Sequence, residues 1–158
     1  MKRLLLCLLL LAFVSVARAE SIVIIVRHAE KASEQGDDPP LSEAGRARAE
    51  ALSRMLRDSG INAIFTTEFK RTKETAALTA LALKITPTIV PAKEIETLAN
   101  KLRELDGNAL VVAHGNTIPD LIKALGIYVP INIPESDYDH FFFVAIGAQP
   151  RLVRLRYP

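Results

Sequence analysis

Four side chains in this sequence have the types and spacing for one piece of chemistry. Arg27 and His28 follow the apolar run "IVIIV" at 22–26, Arg71 opens "RTKETAALTALALK", and His114 ends "ALVVAH". Guanidinium forks match phosphate oxygens in a bidentate way and stay charged at any working pH. A neutral imidazole nitrogen can attack phosphorus and form a phosphohistidine, which divides one hard transfer into two. His28 is the better-placed nucleophile, because a rigid strand delivers it and Arg27 stands beside it. Arg71 and His114 would neutralise charge on the transferring group, so positioning and charge stabilisation would carry the rate. Helix N-termini after Arg71 and His114 would add N–H donors, and Gly115 would let a phosphate oxygen approach the backbone. As a mere structural ion cluster these four would repel one another.

The elements that must position them can be read from periodicity and breakers. The run 20–26 is a strand buried on both faces. After the polar loop "KASEQGDDPP", residues 41–60 form a helix with Ser42 as N-cap. Its apolar face is Ala44, Ala47, Ala51, Leu52, Met55 and Leu56, and Gly60 stops it. A strand over 61–66 ends at Thr66-Thr67, and a second helix starts near Arg71. "ITPTIVPA" is extended, and Pro87 and Pro91 place it at a sheet edge. "KEIETLANKLREL" is a third helix, "ALVVAH" a buried strand, and "NTIPDLIKALG" a fourth helix with Pro119 in its first turn. "HFFFVAIG" and "RLVRLRY" form a closing hairpin. Alternating strands and helices imply an α/β domain with a mostly parallel sheet. Such sheets bind ligands beyond the carboxyl ends of their strands, and Arg27-His28, Thr66-Thr67 and His114 all arrive at that edge.

"VRHAEK", "TTEFKRTKETA" and "VVAHGNT", in this order and spacing, resemble the three motifs of the histidine phosphatase superfamily, also called phosphoglycerate mutase-like. The resemblance spans residues 22 to about 117. It implies a three-layer α/β/α sandwich, a phosphohistidine on His28, and Arg27, Arg71 and His114 as the rest of the phosphate pocket. One residue departs from the pattern: the family's first motif usually has glycine where this chain has Ala29. An alanine there is strained if the position needs a positive φ. In much of the family an acid after the third strand protonates the leaving oxygen, and Glu94 stands at about that place, with Glu96 beside it. Both acids equally suit the solvated first turn of a helix, and Asp137, Asp139, water and His114 are alternatives. Lys31 and Asn116 flank the motifs as substrate-binding candidates, although Asn116 also suits a helix cap. Glu30 either bonds an arginine of the pocket or is exposed. His140 reads as a surface or hairpin residue, and Phe141, Phe142 and Phe143 as core and edge strand.

The remaining bounds come from composition. Residues 1–19 have Lys2 and Arg3, an apolar run from Leu4 to Val16, and Ala17-Arg18-Ala19. That is the pattern of a cleaved export signal, shorter than a comfortable membrane span of about 20 residues. The expected location is periplasmic or secreted, without stable membrane insertion. Removing Lys2, Arg3 and Arg18 leaves 17 basic against 18 acidic residues, a formal charge of −1, so charge makes no case for nucleic acid. The sequence has one cysteine, Cys7, inside that segment. The mature chain would therefore hold neither disulfide nor zinc–cysteine site. Residues 20–158 suit a single domain.

No cofactor and no metal is expected. Short loops at 31–40 and 85–94 leave the pocket open, which favours hydrolysis of a phosphomonoester over a phosphomutase reaction. The substrate classes are a phosphorylated small molecule such as an envelope sugar phosphate, a scavenged ester, or a phosphorylated protein. A phosphosugar-binding module of the same fold with little catalysis is the chief alternative. A metal-dependent hydrolase using His28, His114 and a carboxylate is disfavoured by the adjacent arginines, which repel a cation. Oligomeric state is not encoded in any readable pattern.

Overall fold

The computed structural model describes residues 20–33 and 36–158. The export-like segment 1–19 lies outside the described residues. The chain runs β1 (Ser21–Arg27), α1 (Glu43–Met55), β2 (Ile61–Thr66), α2 (Lys70–Leu83), β3 (Thr88–Ile89), α3 (Ile95–Glu104), β4 (Asn108–Ala113), α4 (Ile118–Ala124), β5 (His140–Ile146) and β6 (Arg151–Arg156). These strands form one six-stranded sheet in the order β3-β2-β4-β1-β5-β6. The first four are parallel to one another, β5 runs antiparallel to β1, and β6 runs antiparallel to β5 in the closing hairpin. β3 is the two-residue edge strand expected of a segment flanked by prolines.

The sandwich follows from the two-residue period of the strands. In β1, Val23 and Ile25 face a core shared with Leu98, Ala99 and Leu102 of α3 and Ile118, Leu121 and Ile122 of α4. Ile24 and Val26 face the other core, with Leu52 of α1 and Ala76 and Ala80 of α2. β4 divides in the same way, Val111 to the first core and Leu110 and Val112 to the second. A strand apolar at every position is thus covered by a helix layer on each side. Among the described residues no helix is long and apolar enough to cross a membrane.

Several local expectations are corrected. α1 ends at Met55, and its buried residues are Gly45, Ala49, Ala51 and Leu52, continued by Leu56 just past the helix; Ala51, Leu52 and Leu56 are buried as expected, whereas Ala44, Ala47 and Met55 are exposed. The face is rotated because α1 packs on the backbone after β1. A Cβ at position 45 would lie 2.1 Å from the Glu30 carbonyl oxygen, so only glycine allows this approach. Ser42 does cap α1, its hydroxyl accepting from the Gly45 N–H at 3.1 Å. The fourth helix is shorter than expected, with Thr117 at its N-cap position. His140 is the first residue of the hairpin strand β5, as one of its two readings had it, and is buried rather than superficial, its ring stacked on Phe142 at 5.5 Å between centroids.

Candidate active site

The register of the parallel strands puts the catalytic candidates side by side. Arg27 pairs with Ala113 across β1 and β4, and the His28 N–H donates to the Ala113 carbonyl at 2.9 Å. His28 and His114 therefore leave adjacent strand ends together, their ring centroids 5.3 Å apart in an edge-to-face arrangement. Arg71, in the first turn of α2, joins them at a cavity of about 410 Å3 lined by Arg27, His28, Arg71 and His114. Lys31, Gly115 and Asn116 complete that side. Asn116 is thus in the cavity wall and does not cap α4. A Cβ at 115 would meet Arg27 Nε and Ile133 at 3.5 Å, ordinary contact, so the protein's own packing does not require glycine there.

His28 is oriented by a short relay. His28 Nδ1 lies 2.8 Å from the Ala29 carbonyl oxygen. That oxygen can only accept, so Nδ1 carries the hydrogen and the neutral ring keeps its lone pair on Nε2. Ala29 is fixed in turn, because its N–H donates to Thr75 Oγ1 at 2.9 Å while the Thr75 hydroxyl donates to the Arg71 carbonyl at 2.7 Å. Lys84 is the sole non-glycine position with positive φ among the described residues, so Ala29 carries no strain of that kind. Burial pulls the His28 pKa down to about 3 against the opposing Ala29 hydrogen bond, and His114, Arg27 and Arg71 add to the depression. Burial likewise holds His114 at about 4, with Arg71 and Arg27 lowering it and Glu68 opposing. Both imidazoles are neutral at neutral pH.

His114 is anchored through threonines. Its Nε2 is 3.0 Å from Thr67 Oγ1, which is 2.9 Å from Thr72 Oγ1, and the Thr72 hydroxyl donates to the Phe69 carbonyl at 2.8 Å. Each arginine lies over an aromatic ring: Arg71 Cζ is 4.3 Å from the Phe69 centroid and Arg27 Cζ 4.2 Å from that of Tyr138. Arg27 Nη1 also donates to the carbonyls of Pro134, Glu135 and Asp137 at 2.9, 2.9 and 3.0 Å. Its Nε is buried with no protein partner, a donor left for an anion.

The carboxylates differ from expectation. Glu94 is exposed at the N-cap position of α3 and does not line the cavity, and Glu96 lies beyond it in the first turn of that helix. The physical reason is that the chain turns away at Pro91 to start α3 under the sheet. Asp137 and Asp139 face Arg156, which ion-pairs with both. With His140 these two acids form the one close-packed group of possible metal ligands among the described residues, outside the phosphate cavity. Glu30 is taken by Arg48, an arginine outside the pocket, at 2.8 Å. Burial, the largest single influence, raises the Glu30 carboxyl, but the Arg48 hydrogen bond, a backbone hydrogen bond and the charges of Arg48 and Arg27 together leave it below the usual carboxylate range. The N-terminus of α2 is not open to phosphate either: Asp38 accepts from the Lys70 N–H at 2.9 Å and lies 3.6 Å from Arg71.

The sequence reading missed Thr75, Phe69, Tyr138 and Glu135. Thr72, Thr75 and Thr79 are all buried on one side of an alanine-rich helix, a spacing that could have pointed to Thr72 and Thr75, whose hydroxyls are hydrogen-bonded, whereas that of Thr79 has no partner. Glu135 lies in a wall formed by Ile131, Asn132, Ile133 and Glu135, so the mouth is shaped largely by the 127–139 loop, with Lys31 contributed by the loop at 31–40.

A doubly covered, mostly parallel sheet with two arginines and two neutral histidines at its carboxyl edge defines an α/β phosphate-handling protein. Residues 23–96 match the model of the histidine phosphatase superfamily (branch 1). The fold is similar to protein histidine phosphatase SixA complexed with tungstate, at TM-score 0.72 and 17% identity over 85% of this chain and 96% of that one. It is similar to α-ribazole phosphatase from Shigella flexneri, at 0.70 and 16% over 85% and 96%. It is also similar to mycobacterial glucosyl-3-phosphoglycerate phosphatase, at 0.69 and 16% over 88% and 100%. Over residues 23–96 the chain is thus similar to the histidine phosphatase superfamily, and its fold is that of the phosphatases named above.

Proposed function

We propose that this chain hydrolyses phosphate monoesters through a phosphohistidine on His28, and that it does so after export, in the periplasm or outside the cell. The single observation that carries the reaction is the bond from His28 Nδ1 to the Ala29 carbonyl, which leaves Nε2 as the lone-pair nitrogen beside Arg27, Arg71 and His114. Nε2 forms a bond to phosphorus as the bond to the leaving oxygen breaks and that oxygen gains a proton. Arg27 Nε, Arg71 and His114 stabilise the charge on the three equatorial oxygens. Water then attacks phosphorus, the P–N bond breaks, and its electron pair returns to Nε2.

A small phosphorylated molecule, such as an envelope sugar phosphate, fits best. The cavity of about 410 Å3 is of small-ligand size. Two of the similar structures are named for phosphatases of small molecules, whereas SixA is named for protein histidine. Export rests on the pattern of residues 1–19.

Phosphate release from a panel of phosphate esters tests the reaction. Wild type should turn over at least one ester in the presence of a chelator, and His28→Ala should lose at least about 1,000-fold in rate. Unchanged turnover by His28→Ala would refute the assignment.

A further inference from the structure

Resting on that phosphohistidine reading, we infer that Glu135 is the group that protonates the leaving oxygen and then activates the hydrolytic water. Proton transfer to an alkoxide is required when the leaving alcohol is weakly acidic, and a carboxyl group must reach it across the cavity from the nucleophile. Among the described residues Glu135 is the one acidic residue that lines the cavity, and it is exposed at its mouth. The other nearby acids are occupied: Glu30 by Arg48, Asp38 by Lys70 N–H and Arg71, Asp137 and Asp139 by Arg156, and Glu68 by the Ala92 N–H. The Glu135 carboxylate has no hydrogen-bond or ion-pair partner among the described residues.

Its backbone supplies the second argument. The Glu135 carbonyl accepts from Arg27 Nη1 at 2.9 Å, so the guanidinium that offers Nε to phosphate also fixes the residue carrying the acid. The loop is held through main-chain carbonyls at 134, 135 and 137, which leaves the side chain at 135 free for substrate. In the first step the Glu135 carboxyl proton passes to the leaving oxygen as the P–O bond breaks. In the second, the carboxylate takes a proton from water as the oxygen attacks phosphorus and the P–N bond opens. The enzyme is restored with the carboxyl protonated, and the proton needed initially arrives with a monoanionic ester.

The test compares wild type and Glu135→Gln on p-nitrophenyl phosphate, whose leaving group departs unprotonated, and on glycerol phosphate, whose leaving group does not. Glu135→Gln should lose about 100-fold or more in kcat/KM on glycerol phosphate. Formation of the phosphoenzyme from p-nitrophenyl phosphate should stay within a few-fold, and the pH dependence on glycerol phosphate should flatten. An equal loss on both esters, or none on either, with a phosphoenzyme still formed, would overturn the role of Glu135 alone. Absence of a phosphoenzyme and of turnover in wild type would overturn the underlying reaction and this inference with it.

Discussion

The orientation of His28, the proposed nucleophile, rests on groups outside the cavity wall. Thr75 Oγ1 receives the Ala29 N–H, and Ala29 in turn holds His28 Nδ1. Thr75→Val keeps the shape of the side chain but leaves a buried N–H without a partner, at a cost of about 1–3 kcal/mol. Urea unfolding should show that loss, and kcat should fall more than KM changes, because His28 is reoriented rather than removed. A loss of stability with unchanged kcat would deny the relay. This relay was only half legible. Arg27, His28, Arg71 and His114 could be read from type and position at strand ends. The Thr75 contact joins residues 46 apart in sequence, and no local pattern announces such a bond. The place of Glu94 was illegible for a related reason: its sequence position fits, but it stands at the N-cap position of α3 and does not line the cavity.

At the scale of elements, alternation and breakers gave the order of strands and helices because both faces of β1 and β4 must be covered. What they left open was which face of α1 is buried. Alanines carry a weak amphipathic signal, and the deciding contact is Gly45 against the Glu30 carbonyl. Gly45→Ala should force α1 off the chain that follows β1 and cost about 1–3 kcal/mol or more. Thermal unfolding would register it as a clear drop in Tm, whereas Ala44→Gly on the exposed face should cost no more than about 1 kcal/mol. The 127–139 loop was the least legible element. It has no period, and its placement depends on Arg27 reaching three of its carbonyls.

For the whole molecule, the two neutral histidines link the site to stability. In the unfolded chain they titrate near 6.5, and in the fold at about 3 and about 4. Between those values the unfolded state binds more protons, so stability rises with pH through this window and falls as pH drops below 6.5. Each histidine contributes a slope approaching about 1.4 kcal/mol per pH unit. Denaturant unfolding between pH 7 and pH 5 should therefore show a loss of a few kcal/mol, much reduced in the His28→Asn, His114→Asn double variant. A flat profile in wild type would mean that the two rings are not held neutral. The core that resists this acid loss was the most legible feature of all, because runs such as "IVIIV" admit few placements other than a doubly covered strand.

The central claim is a covalent bond between phosphorus and His28, and intact-protein mass spectrometry after brief exposure to p-nitrophenyl phosphate and a basic quench tests it most directly. The account predicts a transient phosphoryl adduct in wild type, mapped by fragmentation to His28 and absent from His28→Ala. Turnover without any adduct, or an adduct that survives the substitution, would contradict it.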